Sequence, residues 1–305
     1  MSVVGWFQGS GPNGFGHNST AEQVTEGLDL SGKTYLITGC NSGIGQETAR
    51  VLGQRGARVI GAARTLDKAR AACADFGSLA LPLACELSEP TSVRAAVQTV
   101  VEMGHPLDAI LCNAGIMALP SRELQHGYEA QFFTNHVGHF MLVTGLLDQL
   151  ADDGRVVMTS SGAHNGTYAE GMRLNDLEAD NGYTAWGAYG QSKLANILFA
   201  THLSTKLEPG QTANAIHPGV IMTNLGRHMN IAARMLFPVL NPLFFKSIAQ
   251  GAATQTLVAT HPSAASETGQ YWADCNPAKR SRHALNATLA EQLWSKTEEI
   301  IAGLP

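Results

Sequence analysis

The sequence predicts an α/β fold: a doubly wound parallel sheet with helices on both faces, in a single domain. Three observations carry this. Short apolar runs recur at Thr34–Thr38, Arg58–Ala63, Leu79–Ala84, Leu107–Cys112, Arg155–Thr159, Ala213–His217 and Gly269–Ala273, with helical patterns between most of them. Strands apolar on both faces that alternate with helices belong to a parallel sheet covered on both sides. A glycine-rich turn joins the first run to the first helical pattern. The 305 residues suit one open α/β domain, and no internal repeat or second domain is visible.

The elements follow in order. Residues 1–30 read as an N-terminal extension with a short helix and 31–305 as the main domain. Met1 to Gly16 is glycine-rich and lacks a cationic head followed by an apolar run, so neither a signal peptide nor a membrane anchor is expected. Ser19 and Glu22 have the spacing of a capping box opening the short helix. Trp6, Phe7 and Phe15 either pack this extension on the domain or on a partner subunit, or belong to a flexible tether.

After the first strand comes Gly39-Cys40-Asn41-Ser42-Gly43-Ile44-Gly45, then the helical pattern Gln46 to Leu52. Strand, glycine turn and helix present backbone N–H groups and a positive dipole end to a diphosphate. Gly39 permits the tight turn, Gly43 the approach of the ligand, and Gly45 close helix–strand packing. The spacing differs from the usual G-x-G-x-x-G. At the end of the second strand, where a carboxylate would grip an NAD ribose, Ala63 and Arg64 stand instead. Arg64 can pair with a 2′-phosphate, with Asn41 and Ser42 beside it, which points to NADP(H).

Tyr189 and Lys193 are four apart in a helical stretch and share one face. An ammonium beside a phenol favours the phenolate, lowering a pKa of about 10 toward the range useful for acid–base work.

Other function classes find little footing. The net charge is −5 with no basic run, so no nucleic-acid partner is expected. Five cysteines, odd in number and without a paired motif, suggest free thiols in a reducing compartment, and a cytoplasmic location. Of eleven histidines, His136 and His139 have helical spacing but no third ligand follows, so no metal site is expected. Ser161 near His164 lacks the G-x-S-x-G elbow of a hydrolase.

Together, the glycine loop, Asn113-Ala114-Gly115 and Tyr189 to Lys193 make the region from about Gly32 to Ala273 resemble a short-chain dehydrogenase/reductase, a Rossmann-fold family. Asn135 to Phe140, Arg155 to Ser161, Ser192 to Asn196 and His217 to Val220 carry a closer likeness to the retinol dehydrogenase and WW-domain oxidoreductase group, with the chloroplast inner-envelope dehydrogenase another relative. The resemblance implies a catalytic set of Asn135, Ser161, Tyr189 and Lys193: Ser161 orients the substrate oxygen, Tyr189 moves the proton, and Lys193 binds the nicotinamide ribose and shares a relay water with Asn135. Ser160 is the neighbour that Ser161 must be told from. The resemblance adds Asn113, Ala114 and Gly115 on the adenosine side, and Pro218, Gly219, Val220, Ile221 and Thr223 around the nicotinamide and phosphates. Glu86 and Leu87 stand where the family commonly has Asp-Leu, which puts an adenine contact there in doubt.

The resemblance also implies a substrate lid at about 222–248. Its methionines and aromatics, with Tyr168, Tyr183 and Trp186 opposite, suggest a small hydrophobic ketone, aldehyde or alcohol. An amphipathic helix pair packed on the core reads the same segment differently. A carbon–carbon double-bond reductase or a non-catalytic nucleotide sensor are the alternative functions. Exposed apolar rows with Phe132, Phe133, Phe140, Leu198, Phe199 and Leu203 are read on helices that build dimers or tetramers elsewhere in the superfamily, which points to a homodimer or homotetramer; packing against the sheet needs such rows as well.

Overall fold

The computed structural model describes residues 9–221 and 245–305. Thr223, Trp6, Phe7 and the expected lid up to residue 244 lie outside the described residues. The main sheet contains β1 (Thr34–Thr38), β2 (Arg58–Ala63), β3 (Leu81–Ala84), β4 (Leu107–Cys112), β7 (Leu150–Thr159), β8 (Thr212–His217), β9 (Tyr271–Ala273) and β10 (Asn276–Pro277), while β5 (Leu124–Gln125) and β6 (Tyr128–Glu129) form a separate small hairpin. The order is β10-β9-β8-β7-β4-β1-β2-β3, and every pair is parallel except β9 with β10. The winding reverses between β1 and β4, and such a switch point opens a crevice beyond the strands' carboxyl ends.

Alternation along the strands sends apolar side chains to two cores. Leu36, Ile60, Ile110, Cys112, Val156 and Met158 enter one cluster. Their neighbours Tyr35, Ile37, Val59, Ala109, Leu111 and Val157 enter the other. Each core is closed by helices. The second takes α2 (Gly43–Gln54), α3 (Leu66–Cys73) and α8 (Ile248–Thr260). The first takes α4 (Pro90–Met103), α5 (Ala130–Phe132), α6 (Gly138–Thr144), α7 (Ala185–Leu203) and α9 (Ala287–Ala302). Burying one large aliphatic or aromatic side chain stabilises by about 1.5–3 kcal/mol, so both layers are needed to hold the sheet. Helix α7 is apolar nearly all round because it is buried nearly all round, and its start is fixed by the Thr184 hydroxyl accepting from the Gly187 amide.

The structure shifts several expected boundaries. The first short helix, α1 (Ala21–Val24), is capped one residue later than expected: Thr20 and Gln23 form the box, while Ser19 Oγ accepts from the Gly16 amide. β3 starts at Leu81 rather than Leu79, since Leu79 is exposed just after the positive-φ Gly77. β7 starts at Leu150, five positions ahead of the Arg155 expected, because Leu150 pairs with Leu107 across a bulge. β9 loses Gly269, whose φ of +68° turns the chain, and β10 was absent from the expected strands. The apolar rows expected on the surface are buried: Trp294 of α9 packs on Phe140 and Phe199, while Phe133 packs against His126 and Tyr128 of the small hairpin.

Candidate active site

The glycine loop lies at the crevice. Gly39 has φ +71°, and a Cβ there would meet Ala114 at 3.1 Å. A Cβ on Gly45 would lie 2.4 Å from both Asn113 Nδ2 and the Gly39 carbonyl oxygen, so only glycine lets α2 approach. Ser42, the N-cap of α2, makes no side-chain capping bond, and the first turn holds no acidic residue. N–H groups without a side-chain partner, at the positive end of a helix dipole, fit a phosphate. Asn41 and Ser42 are exposed beside them, and Arg64 is exposed at the carboxyl end of the adjacent strand.

A buried network ties this loop to the chemistry. Thr38 Oγ1 accepts from the Asn113 and Ala114 amides, each at 3.0 Å, and Asn113 Nδ2 donates to the Thr38 carbonyl at 2.9 Å. The Thr38 hydroxyl also meets His139 Nε2 at 2.9 Å, while His139 Nδ1 reaches the Asn135 carbonyl at 3.0 Å. A carbonyl only accepts, so Nδ1 carries the proton and Nε2 accepts from Thr38. Burial pushes the ring down to about 4, keeping it neutral. His136 turns elsewhere, to Thr297 Oγ1 at 3.0 Å.

Asn135 sits in a π-helical turn, Phe133–Val137, between α5 and α6. Its Oδ1 accepts from the Ile116 amide at 2.8 Å, and its Nδ2 donates to the Ile116 carbonyl at 2.9 Å and Ser192 Oγ at 3.0 Å. A Cβ on Gly115 would lie 2.9 Å from Asn135 Oδ1 and 3.4 Å from Lys193 Nζ, so this glycine lies between the two. Lys193 is buried, donates to the Thr159 carbonyl at 3.0 Å, and stands 5.6 Å from the Tyr189 ring centre.

The two serines separate by their bonds. Ser160 is buried, with its hydroxyl donating to the Lys193 carbonyl at 2.7 Å. Ser161 is partly open, accepts from the Ala163 amide, and lies near enough to the Tyr189 phenol to favour its ionised form. Burial pushes the phenol up to about 12 against the opposing influence of the Ser161 hydroxyl, and pushes the Lys193 ammonium down to about 8. Both groups are thus driven toward their neutral forms, so burial outweighs the lowering of the tyrosine pKa that the spacing suggested.

Other expected residues divide. Pro218 and Gly219 follow β8, with Val220 exposed at 59%. Glu86 is held by Ser88 and Ser92, and Leu87 is buried against Gly138. Of the three aromatics expected near the substrate, Tyr183 donates to the Leu119 carbonyl and the Tyr168 ring lies under Arg173. Trp186 is 55% exposed and meets the Tyr189 ring edge-on at 6.0 Å. Sequence reasoning missed Thr38, His139, Ser192 and the Thr159 carbonyl; the short spacing of Ser192 to Lys193 was the one available signal.

A parallel sheet switched at β1/β4, with a glycine loop on one side of the switch and a Ser-Tyr-Lys cluster on the other, defines a nucleotide-dependent oxidoreductase architecture. The chain belongs to the short-chain dehydrogenase/reductase family: the short chain dehydrogenase profile matches residues 33–173. It is 40% identical to the short-chain dehydrogenase TIC 32 A, chloroplastic, of Brassica napus, over the whole of both chains. It is 36% identical to mouse retinol dehydrogenase 12, covering 91% of this chain and 89% of that one. A solved protein from Mycobacterium paratuberculosis is 33% identical, with a TM-score of 0.73 over 92% of this chain and 97% of its own. A short chain dehydrogenase from Burkholderia cenocepacia, solved in complex with NADP, is 25% identical, with a TM-score of 0.65 over 81% of this chain and 97% of its own. Among the described residues no helix is long and apolar enough to cross a membrane.

Proposed function

We propose that this family member is an NADP(H)-dependent oxidoreductase that interconverts a hydrophobic ketone or aldehyde and its alcohol, with Tyr189 as acid/base. The observation that carries the reading is the buried Lys193 ammonium 5.6 Å from the centre of the Tyr189 ring, with the Ser161 hydroxyl close enough to oppose the rise of the phenol's pKa. A bound nicotinamide supplies or accepts the hydride. Ser161 and Tyr189 hold the substrate oxygen between them, and Tyr189 gives the proton in reduction or takes it in oxidation. Lys193 binds the ribose and, with Asn135, returns the proton. Exposed Arg64, Asn41 and Ser42 take the 2′-phosphate; Gly43, Ile44 and Gly45 take the diphosphate; Asn113, Ala114 and Gly115 line the adenosine side; Pro218, Gly219 and Val220 line the nicotinamide side; Thr223, outside the described residues, is assigned to phosphate from the sequence alone.

Exposed Trp186, edge-on to the Tyr189 ring, and exposed Val220 in the segment after β8 support an apolar substrate. Residues 1–30 act as an extension of the 31–305 domain, and the cytoplasmic location read from the sequence is kept; the chloroplastic label belongs to the plant relative. Self-association as a homodimer or homotetramer needs a face other than α6 and α7, which α9 covers.

The test is fluorescence titration with NADPH and NADH, followed by NADPH oxidation against a panel of hydrophobic aldehydes and ketones. We expect NADPH to be preferred, and Tyr189→Phe to bind it normally while turnover falls by roughly 10²–10⁴. A preference for NADH removes the role of Arg64. Tight binding with no turnover in either direction favours a double-bond reductase or a sensor.

A further inference from the structure

The turn between β9 and β10 is strained. Ala273 pairs with Asn276, leaving Asp274 and Cys275 as a two-residue turn with φ of +50° and +62°. Turns with both central residues left-handed favour Asn-Gly or Asp-Gly, and a residue carrying a Cβ stays there only when its surroundings hold it. Here they do. The Cys275 amide donates to Thr254 Oγ1 of α8 at 3.1 Å, and Asn13 Nδ2 donates to the Cys275 carbonyl at 2.8 Å. Asn276 Nδ2 reaches the Phe15 carbonyl at 3.0 Å, and Gln250 Nε2 the Asn18 carbonyl at 3.4 Å. The N-terminal segment is therefore stitched to the turn and to the start of α8.

The turn aims one carboxylate at two bases. Asp274 Oδ1 lies 2.5 Å from Lys246 Nζ and 3.3 Å from His17 Nδ1. Lys246 is 4% exposed, and its Nζ has no further hydrogen-bond partner among the described residues. Burial alone would raise the Asp274 carboxyl, but Lys246 and His17 hold it below the ordinary value. Lys246 gives up its water while the Asp274 side chain stays 34% exposed, so desolvation offsets much of their attraction and the pair adds direction more than stability.

The direction is toward Gly219. A Cβ there would lie 2.6 Å from Lys246 Cδ, so the lysine stem rests on that glycine, whose φ is +92°. The Lys246 amide donates to the Val220 carbonyl at 3.0 Å, and Lys246 forms a parallel bridge with Ile221. From the other side, the Gly219 amide donates to His217 Nδ1 at 3.4 Å.

We propose that Lys246 and Asp274, clasped by His17, are positioning residues that hold Gly219 and Val220 in place for the reacting end of the cofactor. Resting on the NADP(H) reading for its catalytic consequence, this makes the segment around His17 a working part of the site.

The experiment uses the full chain, with Lys246→Met/Asp274→Asn to remove both charges together and His17→Leu to release the clasp alone. Three readouts are taken: amide exchange at Gly219 and Lys246, affinity for NADPH against adenosine 2′,5′-bisphosphate, which lacks the nicotinamide half, and kcat. The double variant should stay folded and bind the fragment within about twofold of the parent, because the fragment lacks the nicotinamide half that Gly219 and Val220 are proposed to hold. Its kcat should fall roughly tenfold to a hundredfold, as small misplacements near reacting atoms do, with NADPH bound more weakly and exchange at both amides faster. His17→Leu should change each in the same direction by less. Unchanged exchange and unchanged kcat in the folded double variant would overturn the proposal, as would equal losses for fragment and NADPH. If the parent binds neither nucleotide, the NADP(H) reading fails by itself, and exchange at Gly219 and Lys246 then decides the positioning claim: faster supports it, unchanged ends it.

Discussion

Lys193 is a cation kept where charge is costly. Burial pushes its pKa from 10.5 down to about 8, a shift of about 3 kcal/mol against the charged form. At pH 7 the folded protein bears this cost and the unfolded chain does not. As pH rises through 8 the native lysine loses its proton first, so stability rises until about 10.5, where the unfolded lysine also becomes neutral. Lys193→Met should therefore be more stable than the parent at pH 7, by up to about 3 kcal/mol less the lost bond to the Thr159 carbonyl, and the gain should shrink toward pH 10. Urea unfolding at both pH values checks this; equal gains at both would remove burial as the cause. Turnover should be lost at either pH. The four-residue spacing made the shared face of Tyr189 and Lys193 legible in the sequence. It carried nothing about how deeply they are buried, and burial turned the expected lowering of the tyrosine pKa into a rise.

At the scale of elements, the glycine loop is a fitted joint between β1, β4 and α2. Gly45→Ala would drive a Cβ into the Asn113 side chain and the Gly39 carbonyl, each at 2.4 Å. Asn113 cannot yield cheaply, because its Nδ2 is bound to the Thr38 carbonyl. The variant should lose about 1–3 kcal/mol of stability, as overpacked sites do, and most of its NADPH affinity. Gly166→Ala, with nothing within 4 Å of the added carbon, serves as a control and should leave both nearly unchanged. Unfolding curves and NADPH titrations of the pair decide it, and similar effects in both would contradict the joint. The positions of Gly39, Gly43 and Gly45 announced strand, turn and helix in the sequence, because backbone freedom is written in residue type. The π-turn that carries Asn135 was not legible, nor was the β9–β10 hairpin, since Asp274 and Cys275 lack the glycine that marks such turns and are held by contacts distant in sequence.

Across the whole molecule, the C-terminal helix decides which surface is left for other chains. Phe140, Phe199 and Leu203 read as an exposed row because they are apolar on helices that lie outside the sheet. They are at most 2% exposed because α9 lies over them. Trp294 stacks on Phe199 at 5.5 Å with the planes 4° apart, and meets the Phe140 ring at 4.6 Å. Thr297 adds its hydrogen bond to His136. An apolar face covered in cis is not available in trans, so the intact chain should not associate through α6 and α7. Trp294→Ala should cost about 3–5 kcal/mol, as aromatic truncations in a core do, and removal of residues 287–305 should expose the row and drive self-association or precipitation. Sedimentation of the intact and shortened chains at matched concentrations reads this directly. If the intact chain forms a dimer that cross-links between copies of α7, then α9 must leave its seat in solution, and the packing of Trp294 on Phe199 is not what fixes the oligomeric state.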